Sequence, residues 1–190
     1  MDSHVYWELQ PLGETTCGLH ALNCIFQGPE FRLAELQSLS KECGKLERDF
    51  LSQAGVSEVE CETMALSETT GNFDFMVLEK ALEKKEFVCT RLHVDSITEG
   101  LLDHKHAFLL NIKSHWVSAR NIHDKWLLFD SKKEKPIELV LLEFLRESLA
   151  GKHTAFLVKE KSGKRLPVFN HNKDFLTPNQ KFEPLNFTVE

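Results

Sequence analysis

Apolar positions along this chain recur first at helical spacing and later at strand spacing. In CGLHALNCIF, from Cys17 to Phe26, Leu19, Leu22, Asn23 and Phe26 fall three and four residues apart, and Ala21 and Ile25 widen the same surface. That pattern predicts a helix with a core-facing stripe. It should end near Gln27 and Gly28, and Pro29 prevents its continuation. Leu33, Leu36 and Leu39 predict a second helix broken at Gly44, and Leu46, Phe50 and Leu51 a third over residues 45–54, stopped by Gly55. Residues 58–66 carry a weaker helical pattern and 67–72 read as a turn or loop. Phe75, Leu78 and Leu82 line one face of a helix over 75–82, with Asn72 or Asp74 as its cap.

Beyond that helix the period shortens. Residues 87–92 alternate in part, 107–112 form an apolar run of core-strand character, and Trp116, Val117 and Ala119 continue a strand with one apolar face. Residues 121–125 read as a hairpin turn and 126–129 as the returning strand. Pro136 precedes a helix expected over 137–149, with Leu141, Phe144, Leu145 and Leu149 facing the core and Gly151 closing it, and 153–158 read as one more strand. At the start, residues 4–10 suit an extended arm or a brief strand, and Pro11 holds Gln10 extended. After Glu160 the periodicity gives way to Lys, Asn and Pro with isolated phenylalanines. Helices first and short antiparallel strands later predict an α+β domain over residues 4–160, followed by a tail or wrapped extension over 161–190.

Composition narrows the class without changing that picture. A chain of 190 residues fits one domain with a full core, and 42% hydrophobic with 27% charged residues argues against disorder throughout. A net charge of -6, with no basic stripe interleaved with aromatics, disfavours a nucleic-acid partner. The opening MDSHVYWELQ has neither the basic head nor the apolar core of a secretory signal, and no apolar segment is long enough to cross a bilayer. The 5 cysteines, Cys17, Cys24, Cys43, Cys61 and Cys89, are odd in number and contain no CxxC pair. Reduced thiols in a cytoplasmic or nuclear setting are the simpler expectation, with delivery by a specialised secretion route the alternative. The sequence sets no oligomeric state.

The candidate chemistry centres on Cys17, placed where the first turn of its helix begins. Unpartnered N–H groups and the aligned peptide dipoles there stabilise an anion, which favours a thiolate. Thr15 or Thr16 is the cap candidate, with Gly13 turning the preceding chain. Against this stands a buried structural cysteine, the reading that suits Cys24 inside the helix. His115, beside Trp116, is the candidate base, and its bland alternative is a strand histidine stacked on that tryptophan. Asp130, ending the run WLLFD, would fix the imidazole tautomer, although an acid at a strand end often only caps its own turn. Gln10 offers an amide to an oxyanion, helped by a backbone N–H near Cys17. Histidines 20, 104, 106, 123 and 153 lack a metal-site arrangement such as HExxH, and no phosphate loop or dinucleotide fingerprint appears.

YWELQ followed by CGLHALNCIFQG resembles the opening of the Josephin family of cysteine deubiquitinases, and GNFDFMVLEKAL, HWVSAR, WLLFDS and AFLV follow in that family's order. The resemblance spans about residues 4–159. It implies a papain-like fold in which residues 31–66 form a projecting helical hairpin beside a ubiquitin-binding cleft. It implies Cys17 as nucleophile, His115 as base, Asp130 as the residue orienting that base and Gln10 as the oxyanion-hole glutamine, with no metal or organic cofactor. His20 and Asn23 match structural positions of the first helix. The expected partner is ubiquitin or a ubiquitin conjugate. Alternatives are a catalytically weak module of this fold that binds ubiquitin or another protein, and a papain-like peptidase of other substrates. The chain departs from the family in carrying Trp7 for a histidine, Cys24 for an asparagine and about two extra residues between Gln10 and Cys17.

Overall fold

A computed structural model describes residues 4–55, 71, 73–164, 166, 177 and 179–184. In chain order the elements are β1 (His4–Glu8), α1 (Cys17–Phe26), α2 (Leu33–Gln53), α3 (Phe75–Lys84), β2 (Phe87–Arg91), β3 (Ala107–Ile112), β4 (His115–Ile122), β5 (Lys125–Phe129), β6 (Ile137–Glu138), α4 (Leu141–Ala150), β7 (Thr154–Glu160) and β8 (Gln180–Pro184). Short 3-10 turns at Val94–Ser96 and Glu99–Leu102 join β2 to β3. Six strands form an antiparallel sheet in the order β2-β7-β3-β4-β5-β6, and β1 pairs separately with β8. This is the α+β, papain-like architecture.

The apolar run of β3 is continuous because both faces of the sheet are covered. Ala107 and Leu109 join the core that α1 and α3 build with Leu22, Ile25, Leu78 and Trp116, while Phe108 and Leu110 join the opposite core with Val117, Leu141 and Leu145. A strand buried on both sides loses alternation. A smaller cluster seats β1 on the far end of the sheet through Val5, Trp7, Cys24, Leu127 and Phe129.

All ten residues of α1 are buried, including His20 and Asn23. A helix enclosed on every side needs partners for its polar side chains. Asn23 donates to Glu8 and to the Phe31 carbonyl and accepts from the Phe31 N–H, and His20 pairs with Glu8 and Thr16. The helix ends as expected: Gln27 takes the left-handed conformation at φ 57°, its N–H bonds the Cys24 carbonyl, and its side chain bridges to both backbone groups of Tyr6. Thr16 occupies the cap position, but its side chain makes no cap hydrogen bond to α1, and its hydroxyl turns to Glu14 and His20 instead.

Two boundaries differ from the sequence pattern. α2 runs unbroken through Gly44, so the expected break there and the separate helix over 45–54 are one element. A single interior glycine costs only about 1 kcal/mol, and Leu36, Leu39 and Cys43 anchor the preceding turns in the core. Gly55, at φ 85°, follows the end of that helix, as expected. The helix expected over 137–149 starts only at Leu141, because Ile137 and Glu138 pair with Leu128 and Leu127 of β5 and the Leu139 N–H bonds the Trp126 carbonyl. Its core positions, Leu141 and Leu145, were the ones carrying the periodicity. The expectations for 58–66 and for most of 67–72, and with them the second arm of the hairpin, lie outside the described residues.

Candidate active site

Three residues far apart in the chain meet where α1 begins. Cys17 opens the helix, His115 opens β4, and Asp130 follows the last residue of β5. The β4–β5 register, with Ser118 opposite Phe129, brings Asp130 level with the first residues of β4. Its Oδ1 lies 2.6 Å from His115 Nε2. The other ring nitrogen is left for the Cys17 thiol, whose interaction with the imidazole raises the His115 pKa further.

The surroundings favour charge on both groups. Burial pushes the Cys17 thiol up, but the hydrogen bond to His115, the backbone N–H of Trp116 and the nearby imidazolium outweigh it, so the thiol sits below its ordinary value. That Trp116 N–H lies 3.5 Å from the sulfur. The hydrogen bonds to Asp130 and Cys17 raise His115 to about 9 despite the opposing effect of burial. Burial likewise pushes Asp130 up, and the bonds from His115 and the Lys132 N–H overcome it, holding the carboxyl below its usual value. Each shift favours the charged form of its group, a thiolate beside an imidazolium. Cys17 is only 5% exposed.

Gln10 is differently occupied. Its amide N–H group donates to the Glu14 carbonyl, its Oε1 accepts from the Ser131 hydroxyl at 3.2 Å, and its backbone N–H donates to the Ser131 carbonyl at 2.8 Å. The side chain thus ties β1 to the turn that carries Asp130, and its hydrogen bonds run to Glu14 and Ser131 rather than to Cys17. Glu14 lies between Gln10 and Cys17, and its carbonyl holds the Gln10 amide.

Sequence reasoning missed Glu8, Ser131 and the second role of Trp116. Glu8 is 3% exposed and receives Asn23 at 3.1 Å, Gln180 at 3.0 Å and the Tyr6 hydroxyl, while its other oxygen meets His20 at 2.5 Å. Nothing in one acid between Trp7 and Leu9 announces such a hub. Trp116 does not serve simply as a stacking plate for His115: its indole N–H donates to the Phe73 carbonyl at 2.8 Å, and its ring adjoins Phe75 and Phe156. Cys24 packs in the core, as expected, where burial keeps its thiol up. Among the described residues no three His, Cys, Asp or Glu side chains group as a metal site.

The Josephin family profile matches residues 13–159. The ataxin-3 homolog of Caenorhabditis briggsae is 25% identical over 162 residues, covering 83% of this chain and 49% of that protein. The ataxin-3 homolog of Arabidopsis thaliana is 25% identical over 175 residues, 86% of this chain and 62% of that protein. Human ataxin-3 is 28% identical over 163 residues, 75% of this chain and 42% of that protein. The chain thus spans about half the length of these curated relatives. With the papain-like sheet, the cysteine at the start of the buried helix and a profile match across most of its length, this chain belongs to the Josephin family.

Proposed function

We propose that this chain is a cysteine-type deubiquitinase, hydrolysing isopeptide or peptide bonds at the C-terminal glycine of ubiquitin. The observation that carries the reading is the Cys17 thiol, lowered by a His115 imidazole whose far nitrogen is 2.6 Å from Asp130. Membership of the Josephin family supplies the substrate class. In this reading the Cys17 thiolate attacks the glycine carbonyl carbon, forming a C–S bond. The C–N bond then breaks as the imidazolium of His115 gives its proton to the leaving amine. His115 next takes a proton from water, whose oxygen attacks the thioester and releases ubiquitin's carboxylate and the thiol. Asp130 keeps the ring oriented throughout. A backbone N–H near Cys17 and the Gln10 amide are the oxyanion donors, Gln10 serving either through its second amide N–H or after turning away from Glu14. The work is done in a reducing cytoplasm or nucleus, where the thiol persists.

The test is intact mass after incubation with a ubiquitin probe bearing a thiol-reactive C-terminus, beside the Cys17→Ala variant. One added ubiquitin on the parent and none on the variant is expected, and an adduct retained by the variant overturns the nucleophile assignment. One observation favours a second reading. The nearly enclosed sulfur and the engaged Gln10 amide suit a ubiquitin-binding module with weak turnover. A parent that titrates with ubiquitin yet stays unmodified selects it.

A further inference from the structure

The turn that carries Asp130 folds back on that residue. The Asp130 carbonyl accepts the Lys133 N–H at 2.8 Å, and its Oδ1 accepts the Lys132 N–H at 3.0 Å. Within this turn Ser131 is 6% exposed and is joined twice to Gln10, 121 positions away in the chain. The Ser131 carbonyl accepts the Gln10 backbone N–H at 2.8 Å, and the Ser131 hydroxyl donates to Gln10 Oε1 at 3.2 Å.

A carboxamide carries an acceptor at one end and two donors at the other, so it serves an oxyanion only when its amino end faces the charge. Turned about, the same side chain sets a carbonyl oxygen against that anion. Two bonds govern the orientation in Gln10: the Glu14 carbonyl takes an amide hydrogen, and the Ser131 hydroxyl holds the oxygen. The first competes for the donors that an oxyanion needs, and it weakens as negative charge develops. The second engages the oxygen alone. It leaves both amide hydrogens to be given elsewhere, and donation into Oε1 polarises the amide so that its N–H groups donate more strongly.

We propose that Ser131 is a positioning residue for acyl transfer, its hydroxyl keeping the amino end of the Gln10 side chain turned to the anion that forms when Cys17 attacks. The inference rests on the proposed thiol hydrolase reading and deepens it, because one turn then sets both the oxyanion donor and the acid that orients His115. Among the described residues the Ser131 side chain bonds Gln10 and none of the Cys17, His115 and Asp130 side chains, so it acts through Gln10.

The experiment measures hydrolysis of ubiquitin–aminomethylcoumarin by the parent, Ser131→Ala, Ser131→Thr, Gln10→Ala and the Gln10→Ala, Ser131→Ala double variant, with thermal melts to establish folding. The backbone bonds of the turn do not use the hydroxyl, so Ser131→Ala should melt near the parent. Its kcat should fall about tenfold with KM little changed, a part of the loss of about 10²-fold expected of Gln10→Ala. Ser131→Thr keeps the hydroxyl and should stay near the parent. In the Gln10→Ala background Ser131→Ala should cost nothing further, whereas a merely structural serine would cost the same in both backgrounds. An undiminished loss in that background, or an unchanged kcat in folded Ser131→Ala, overturns the assignment. A parent without turnover refutes the hydrolase reading instead, and the positioning is then read from nitrogen relaxation of the Gln10 side-chain amide. Order lost in Ser131→Ala supports it, and order unchanged in that variant overturns it.

Discussion

Two imidazole–carboxylate pairs lie about α1, built to nearly the same dimensions. His115 stands 2.6 Å from Asp130, and His20 stands 2.5 Å from Glu8. Each histidine also turns its second nitrogen towards a side chain at the start of α1, Cys17 in one case and the Thr16 hydroxyl, 3.0 Å away, in the other. The outer pair keeps some contact with solvent, with side chains 14% and 18% exposed, whereas His20 and Glu8 are 10% and 3% exposed. What separates them most is the third group. A thiol beside an imidazolium and a backbone N–H loses its proton readily, while the Thr16 hydroxyl has a far higher intrinsic pKa and faces the Glu14 carboxylate at 3.2 Å, which opposes any negative charge. Glu8 is moreover saturated by Tyr6, Asn23 and Gln180, so its pair joins β1, α1 and β8. An acid–histidine contact is therefore no signature of catalysis until the acidity and surroundings of the group beyond it are known.

The sharpest way to break this contrast is Cys17→Ala, which should lower ubiquitin-conjugate hydrolysis at least about a thousandfold while the melting temperature stays near that of the parent. Asp130→Asn comes next, with kcat/KM reduced about 10²- to 10⁴-fold. It also carries a pH signature. The active pair needs protonated His115, so parent activity should fall as pH rises through about 9. Removing the carboxylate charge lowers the His115 pKa, and a pH profile of the variant should show the alkaline limb displaced downward. An unmoved limb would show that Asp130 does not set the imidazole's charge.

The inner pair should respond in stability instead. Glu8→Ala strips the acceptor from His20, Asn23 and the Tyr6 hydroxyl and should cost about 2–4 kcal/mol in denaturant unfolding. Activity of the fraction that remains folded should change little. A loss of activity without a loss of stability would erase the distinction between the two pairs. The smallest effect is expected from Gln180→Ala, which removes one donor to Glu8 and should cost about 1 kcal/mol.

Much of this organisation was legible in the sequence because it rests on local periodicity. α1 begins and ends at the expected residues, β3 coincides with the apolar run at 107–112, and the hairpin that carries His115 and Asp130 follows from two strand patterns and a turn. The chain order of cysteine, histidine and acid was equally visible, since side-chain chemistry is written residue by residue. Other features depended on neighbours that no local window contains. Gly44 looks like a stop until Leu36, Leu39 and Cys43 are seen anchored in the core, and residues 137–138 look helical until β5 offers them a strand partner.

The same division runs through the site. Residue type and spacing alone establish which groups can ionise and which helix begins at the thiol. Contacts visible in no stretch of sequence hold the Gln10 amide at Glu14, make Glu8 a buried hub and set Glu79 at the rim of an aromatic cavity. Hydrogen-bond partners and burial are properties of contacts between distant segments, and the energy of a charge depends on those contacts far more than on its neighbours in the chain.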